Sequence, residues 1–191
     1  MEIKASRVSV YEVELDLARW DARTTAQAPA FADSLLAALP TAAAHPCLAG
    51  EAGGFLAEMR RGTNFAHVIE HVLLELIHLA FPDRQFSGWT RAQDDGTFVI
   101  HYGAPDFLTG RLAAILAVDL VKDLLAGQPV DCDTLVAQLR RPLEYFAGVN
   151  GADPADDRDG AITLAPPQIT NLRRLLPAVA PRFPLVDEAW R

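Results

Sequence analysis

Residues Asn64–Ala80 read NFAHVIEHVLLELIHLA, and they decide the fold. Asn64, or Thr63 before it, is a helix cap, and Phe81-Pro82-Asp83 stops the helix. At about 100° per residue with His67 as origin, His71 falls near 40°, Glu75 near 80°, His78 near 20° and Glu70 near 300°. Five ionisable groups share one face, while Phe65, Val68, Ile69, Val72, Leu73, Leu76, Ile77 and Leu79 cover the rest. A helix this apolar is buried in a core. An unpaired charge there costs several kcal/mol, so the ionisable stripe needs partners, and a metal ion is one.

His67 and His71 lie one turn apart, about 6 Å, and can converge on one ion with Glu70 beside them. In the pattern His-x-x-Glu-His both imidazoles bind zinc, while the carboxylate stays off the metal and takes a proton from its bound water. That is peptidase chemistry, with Zn2+ as the expected cofactor and Glu70 as the general base. A catalytic zinc takes a third protein ligand. Glu75 lies about 12 Å along the axis from His67, which makes it an outer partner of the site before it is a ligand. In the inverted-motif peptidases the third ligand is a glutamate some seventy residues downstream on another helix, and Glu144 lies 73 residues after His71. Glu144 is the expected ligand and Glu75 its rival. His78 reads as a structural histidine, and His45, His101, Cys47 and Cys132 carry no readable signal.

Around this helix, Arg7–Leu17 alternates Val8, Val10, Val13, Leu15 and Leu17 with polar residues, the period of a half-buried strand. Pro29–Leu39 forms a short helix that stops at Pro40. His45–Leu56 is a loop in which Gly53 and Gly54 make a turn before a helix; a P-loop is excluded by its missing Lys and Ser/Thr. Phe86–Arg91 and Thr97–Tyr102 form a hairpin around Gln93–Gly96. Helices follow over Pro105–Leu125 and from Asp131 to Phe146. The fold class is α+β, a small antiparallel sheet packed on a buried central helix and further helices. Residues 1–147 form one domain; 148–191 form an acidic linker and a Pro-rich tail with at most one helix.

The 191 residues are 50% hydrophobic with a formal net charge of -8, which excludes the basic field of a nucleic-acid module. Two cysteines give no disulfide framework. A signal peptide and a membrane span are not expected, and cytoplasm is the expected location.

Several segments together resemble the N-terminal domain of cyanophycin synthetase: Leu39-Pro40, His45-Pro46-Cys47 through Gly53-Gly54-Phe55, Arg60-x-Gly62-Thr63, His67 to Leu76, Gly88-x-Thr90-Arg91 and Gly110-Arg111-x-Ala113. The resemblance spans roughly residues 7 to 147. It departs from the family pattern over Ala80–Ser87 and His101–Asp106. The synthetase adds Asp and Arg to a poly-aspartate chain carrying arginine, using two ligase domains that this sequence lacks; ATP-driven synthesis is therefore not expected. The resemblance implies a zinc peptidase-like domain that grips or cuts the polymer, with His67, His71 and Glu144 on the metal and Glu70 as base. Arg91, at a strand end beside the central helix, is the expected partner of a substrate carboxylate, and the acidic balance suits an arginine-bearing substrate. The rival readings are a non-catalytic module that binds the polymer or a partner cyanophycin synthetase, and a peptidase with another substrate.

Overall fold

The strand expected from the alternating valines is β1, Ser9–Leu15, with Tyr11, Val13 and Leu15 buried on one face. The computed structural model describes residues 9–17, 23–47, 50–94, 96–150 and 172–177. After β1 come a 3-10 turn at Thr25–Gln27, helix α1 at Phe31–Ala38 and a 3-10 turn at Pro40–Ala44. Then follow α2 (Gly54–Arg61), α3 (Phe65–Ala80), β2 (Gly88–Ala92), β3 (Phe98–Ala104), α4 (Phe107–Leu125), α5 (Cys132–Leu139), α6 (Pro142–Asn150) and β4 (Leu172–Pro177). The strands form one antiparallel sheet in the order β2-β3-β1-β4. This is the α+β fold that the sequence implied.

α3 is the core element. Thirteen of its sixteen residues are buried, and it touches α4, α5, β2, β3 and the Pro40–Ala44 turn. Asn64 caps it by accepting the His67 N–H on Oδ1 at 2.8 Å, which satisfies one of the free donors of the first turn. At its other end the Arg140 guanidinium donates to the carbonyls of Leu79 and Ala80 at 3.1 and 3.2 Å. Both termini of the helix are therefore tied, and the histidines between them have a fixed height and azimuth.

The structure departs from the sequence reading in three places. The helix expected from Asp131 to Phe146 is two helices, because Pro142 supplies no N–H to continue α5 and instead opens α6. Between the Gly53–Gly54 turn and α3 lies α2, whose buried Phe55 and Met59 are four residues apart. In the tail, where at most a helix was expected, residues 172–177 pair antiparallel with β1. Leu172, Leu175 and Leu176 have helical spacing, but the open hydrogen-bonding edge of β1 overrides that local preference. The remainder of the expected linker and tail, 151–171 and 178–191, lies outside the described residues. No helix among the described residues is long and apolar enough to cross a membrane.

Candidate metal centre

The first turn of α3 sets one wall of the site. Because Asn64 fixes where the helix starts, Thr63 sits just before it with Oγ1 2.9 Å from His67 Nδ1. The opposite nitrogen of that ring, Nε2, is 3.1 Å from His71 Nε2. The spacing of four in the sequence becomes a convergence of two ring nitrogens.

A second wall comes from the segment between the Pro40–Ala44 turn and α2. Cys47 Sγ lies 3.4 Å from His67 Nε2. The close approach depends on Gly53 and Gly54: Gly53 turns with φ 81°, and a Cβ at Gly54 would stand 3.0 Å from the backbone N of Cys47. Phe55 of α2 stacks on the His71 ring at 4.0 Å between centroids and 14° between planes. That contact fixes the ring plane of His71 and limits water around it.

The donor atoms of Cys47, His67 and His71 all lie within 4.8 Å of one another. A tetrahedral zinc with bonds of about 2.0–2.3 Å places its ligand atoms about 3.3–3.6 Å apart. The observed 3.1 and 3.4 Å fit that ion with little adjustment. Burial holds His67 below the usual histidine range, opposed in part by Glu58. Burial and the adjacent His67 and His45 push His71 down to about 2. Both imidazoles are therefore neutral at physiological pH, the form that ligates.

Glu70, one turn from His67, is 5% exposed and accepts the Thr90 hydroxyl at 2.6 Å. Burial raises its pKa to about 7, against the lowering effect of Thr90. A carboxylate that titrates near neutrality is suited to moving protons.

Further along α3 a second group forms from His45, Glu75 and His78. Glu75 accepts hydrogen bonds from Thr41 Oγ1 and His45 Nε2. Burial alone would raise this carboxyl, but those two donors hold it below the ordinary glutamate value. His45 also reaches back to the first group, its Nδ1 lying 3.3 Å from His71 Nδ1. His78 accepts the Phe86 N–H on Nε2 at 3.2 Å, the structural histidine that the sequence reading expected.

Three expected site residues stand outside the Cys47, His67 and His71 group. Glu144 belongs to neither group: it is exposed on α6, 3.5 Å from Arg141. The break at Pro142 removed the helix that was to carry it inward. Glu75 is likewise not the third donor beside His67 and His71; it anchors His45. Arg91 is exposed on β2. Successive strand residues face opposite ways, and Thr90 is the one that reaches Glu70, so Arg91 projects from the other face, where Trp89 stacks on His101 at 4.5 Å. The residues the sequence reading passed over are Cys47 and His45. Their signal was the His45-Pro46-Cys47 segment of the family resemblance, in a glycine-containing loop whose place over α3 helical periodicity does not report.

Residues 12–126 match the cyanophycin synthase-like N-terminal domain. Cyanophycin synthetases are similar over this region: that of Synechocystis sp. is 34% identical over 119 residues, and that of Crocosphaera subtropica 30% over 119, each covering 62% of this chain. The enzyme of Trichormus variabilis is 34% identical over 125 residues. The chain spans 14% of the length of each of these relatives. The matched stretch contains the end of β1, the Cys47 segment, α3 and the hairpin, and with them every residue of both polar groups, so this chain belongs to the cyanophycin synthase-like N-terminal domain family.

Proposed function

We propose that this domain is a zinc-dependent amide hydrolase acting on cyanophycin or a related Asp/Arg polymer. The observation that carries the reading is the convergence of Cys47 Sγ, His67 Nε2 and His71 Nε2, with the buried Glu70 carboxyl one turn away and titrating near 7. Cys47, His67 and His71 would hold the ion, and three protein donors are the number at which zinc keeps a position for water or substrate. When bound, zinc polarises a carbonyl and lowers the pKa of water to about 7. Glu70, oriented by the Thr90 hydroxyl, takes a proton from the attacking water and returns it to the leaving amine.

The substrate class comes from the relatives, which are cyanophycin synthetases. Incubation of the protein with cyanophycin, followed by mass spectrometry of the products, should give discrete fragments that vanish with a chelator. Glu70→Gln should retain zinc and fold while cleavage falls by about 10²–10⁴-fold. Undiminished cleavage by that variant would overturn the mechanism.

The relatives' names also favour a second reading. In them the matched region is 14% of a synthetase, so the domain would grip the polymer or a partner synthetase without cutting. A protein that captures cyanophycin, binds no stoichiometric zinc and releases no fragments supports that reading instead.

A further inference from the structure

We propose that the open edge of β2 is a binding track for the main chain of an extended Asp/Arg peptide, which adds to the sheet as a strand with one of its residues directly opposite Thr90. The choice of ligand rests on the hydrolase reading above; the track is what holds that ligand beside Glu70.

β2 ends the sheet: in the order β2-β3-β1-β4 it pairs with β3 alone among the described residues. Two hydrogen bonds that extend the ladder show which of its backbone groups face outward. Gly103 donates its N–H to the Ser87 carbonyl at 2.9 Å, and Gln93 donates its N–H to the Thr97 carbonyl at 2.8 Å. In an antiparallel pair, residues that exchange hydrogen bonds alternate with residues that do not. Ser87 and Gln93 belong to the bonded set, so Trp89 and Arg91 turn their N–H and C=O groups to His101 and Val99. Gly88, Thr90 and Ala92 turn theirs the other way, to the open edge.

The same set of residues faces α3 with its side chains. A Cβ at Gly88 would stand 3.5 Å from Leu74 Cδ1, and the Thr90 hydroxyl donates to Glu70 at 2.6 Å. Thr90 therefore joins two functions: its main chain offers a donor and an acceptor to a ligand strand, while its side chain holds Glu70. An antiparallel ligand strand bonded there sets one of its residues about 5.5 Å from Thr90 between Cα atoms, with that residue's side chain on the α3 face. The ligand residues on either side project to the other face, beside the exposed Trp89 and Arg91. A carboxylate of the Asp/Arg chain can pair with the Arg91 guanidinium there. Main-chain bonding also suits a repeating polymer, because it supplies affinity without depending on one side chain.

The rival occupant is β2 of a second copy. Five residues at about 3.4 Å each make a strand of about 17 Å, and three outward-facing residues limit the pairing to a few hydrogen bonds. A stable dimer needs roughly 1,000 Å² of buried surface, which a contact of that length does not supply by itself. A ligand that leaves after each cut has no such requirement.

Amide hydrogen exchange followed by NMR reads the edge residue by residue, using the 191-residue chain with Glu70→Gln so that bound peptide is not consumed. The probe is a short synthetic oligo-aspartate with arginine on each side-chain carboxyl. In the free protein the Trp89 and Arg91 amides should be protected, while those of Thr90 and Ala92 exchange quickly. Saturating peptide should slow Thr90 and Ala92 by more than about 10-fold and leave Trp89 and Arg91 unchanged. Ala92→Pro removes one outward N–H and leaves the ladder to β3 whole; it should weaken peptide binding by about 3–10-fold with fold and zinc content at the parent level. No binding of the peptide, binding that leaves the Thr90 and Ala92 amides fast, or an Ala92→Pro protein with parent affinity overturns the proposal. Protection of those amides in a ligand-free dimer assigns the edge to a second copy and overturns it as well. If Ala92→Pro fails to fold, the alternating amide pattern decides alone. Edge protection without cleavage by the parent would keep the track and remove the hydrolase reading, and cleavage without edge protection would do the reverse.

Discussion

The two polar groups along α3 are built from nearly the same residue types, lie about one turn apart and share one histidine contact, yet they bring different atoms together. Around His67 and His71, two ring nitrogens and the Cys47 thiol converge. Around Glu75 the N–H and O–H groups point inward onto a carboxylate. The first arrangement has the donor set of a metal site, and in the second the carboxylate already has two donors. Residue type and burial alone do not separate a metal site from a buried hydrogen-bond cluster; whether a carboxylate already gathers the donors does.

Exchanging one residue in each group sharpens that contrast. Cys47→Ala should lower zinc affinity by more than about 100-fold, since loss of a ligand exceeds the cost of losing an outer partner. His78→Ala should leave zinc affinity within a few-fold of the parent and lower stability by about 1–3 kcal/mol, because the Phe86 N–H loses its buried acceptor. Competition with a chromophoric chelator and urea unfolding measure the two effects. Equal zinc loss in both variants would merge the groups into one site.

Acid should act on the two groups in the same direction for different reasons. His71 is held down to about 2, below its unfolded value of about 6.5. Below pH 6.5 the unfolded chain therefore binds a proton that the fold refuses. Metal-free stability should fall as the pH drops from 6.5, by up to about 1.4 kcal/mol per pH unit for each such imidazole. Glu75, lowered by His45 and Thr41, adds a loss only at the acid end, as pH falls through its folded value. Glu70 has the opposite sign: its raised pKa favours the fold at low pH, and that contribution disappears as pH rises through about 7. Cleavage, which needs Glu70 ionised, should rise through the same pH. Unfolding curves at pH 5, 6 and 7 for the parent and His71→Leu separate these terms; an unchanged slope in the variant would show that His71 is not the group refusing the proton.

The sequence carried the parts of this picture that have a period. The α3 stripe follows from a 3.6-residue repeat and β1 from alternation, and both stand where the residues placed them. Cys47 was not readable as a ligand because its place over α3 is set by a glycine turn and by the packing of α2, neither of which leaves a periodic trace. Glu144 misled for a related reason. A count of residues to a distant helix assumes that the helix is continuous, and Arg140-Arg141-Pro142 breaks it. Even so, the break is productive, since Arg140 turns back to cap the carbonyls of Leu79 and Ala80.

The smallest predicted effect tests whether the contrast between the two groups is complete. Glu144 is exposed and paired with Arg141 three residues before it, an arrangement worth about 0.2–1 kcal/mol at most. Glu144→Gln should therefore change stability by less than about 1 kcal/mol and leave zinc affinity and cleavage at the parent level. The control has a sharp edge, because a carboxylate ligand exchanged for an amide loses its charge and most of its hold on zinc. If Glu144→Gln lost zinc as Cys47→Ala is expected to, α6 would have to swing inward when the ion binds. Cys47 would then share the third position with a residue from outside α3 and its neighbours, and the site would be assembled by the metal instead of waiting for it.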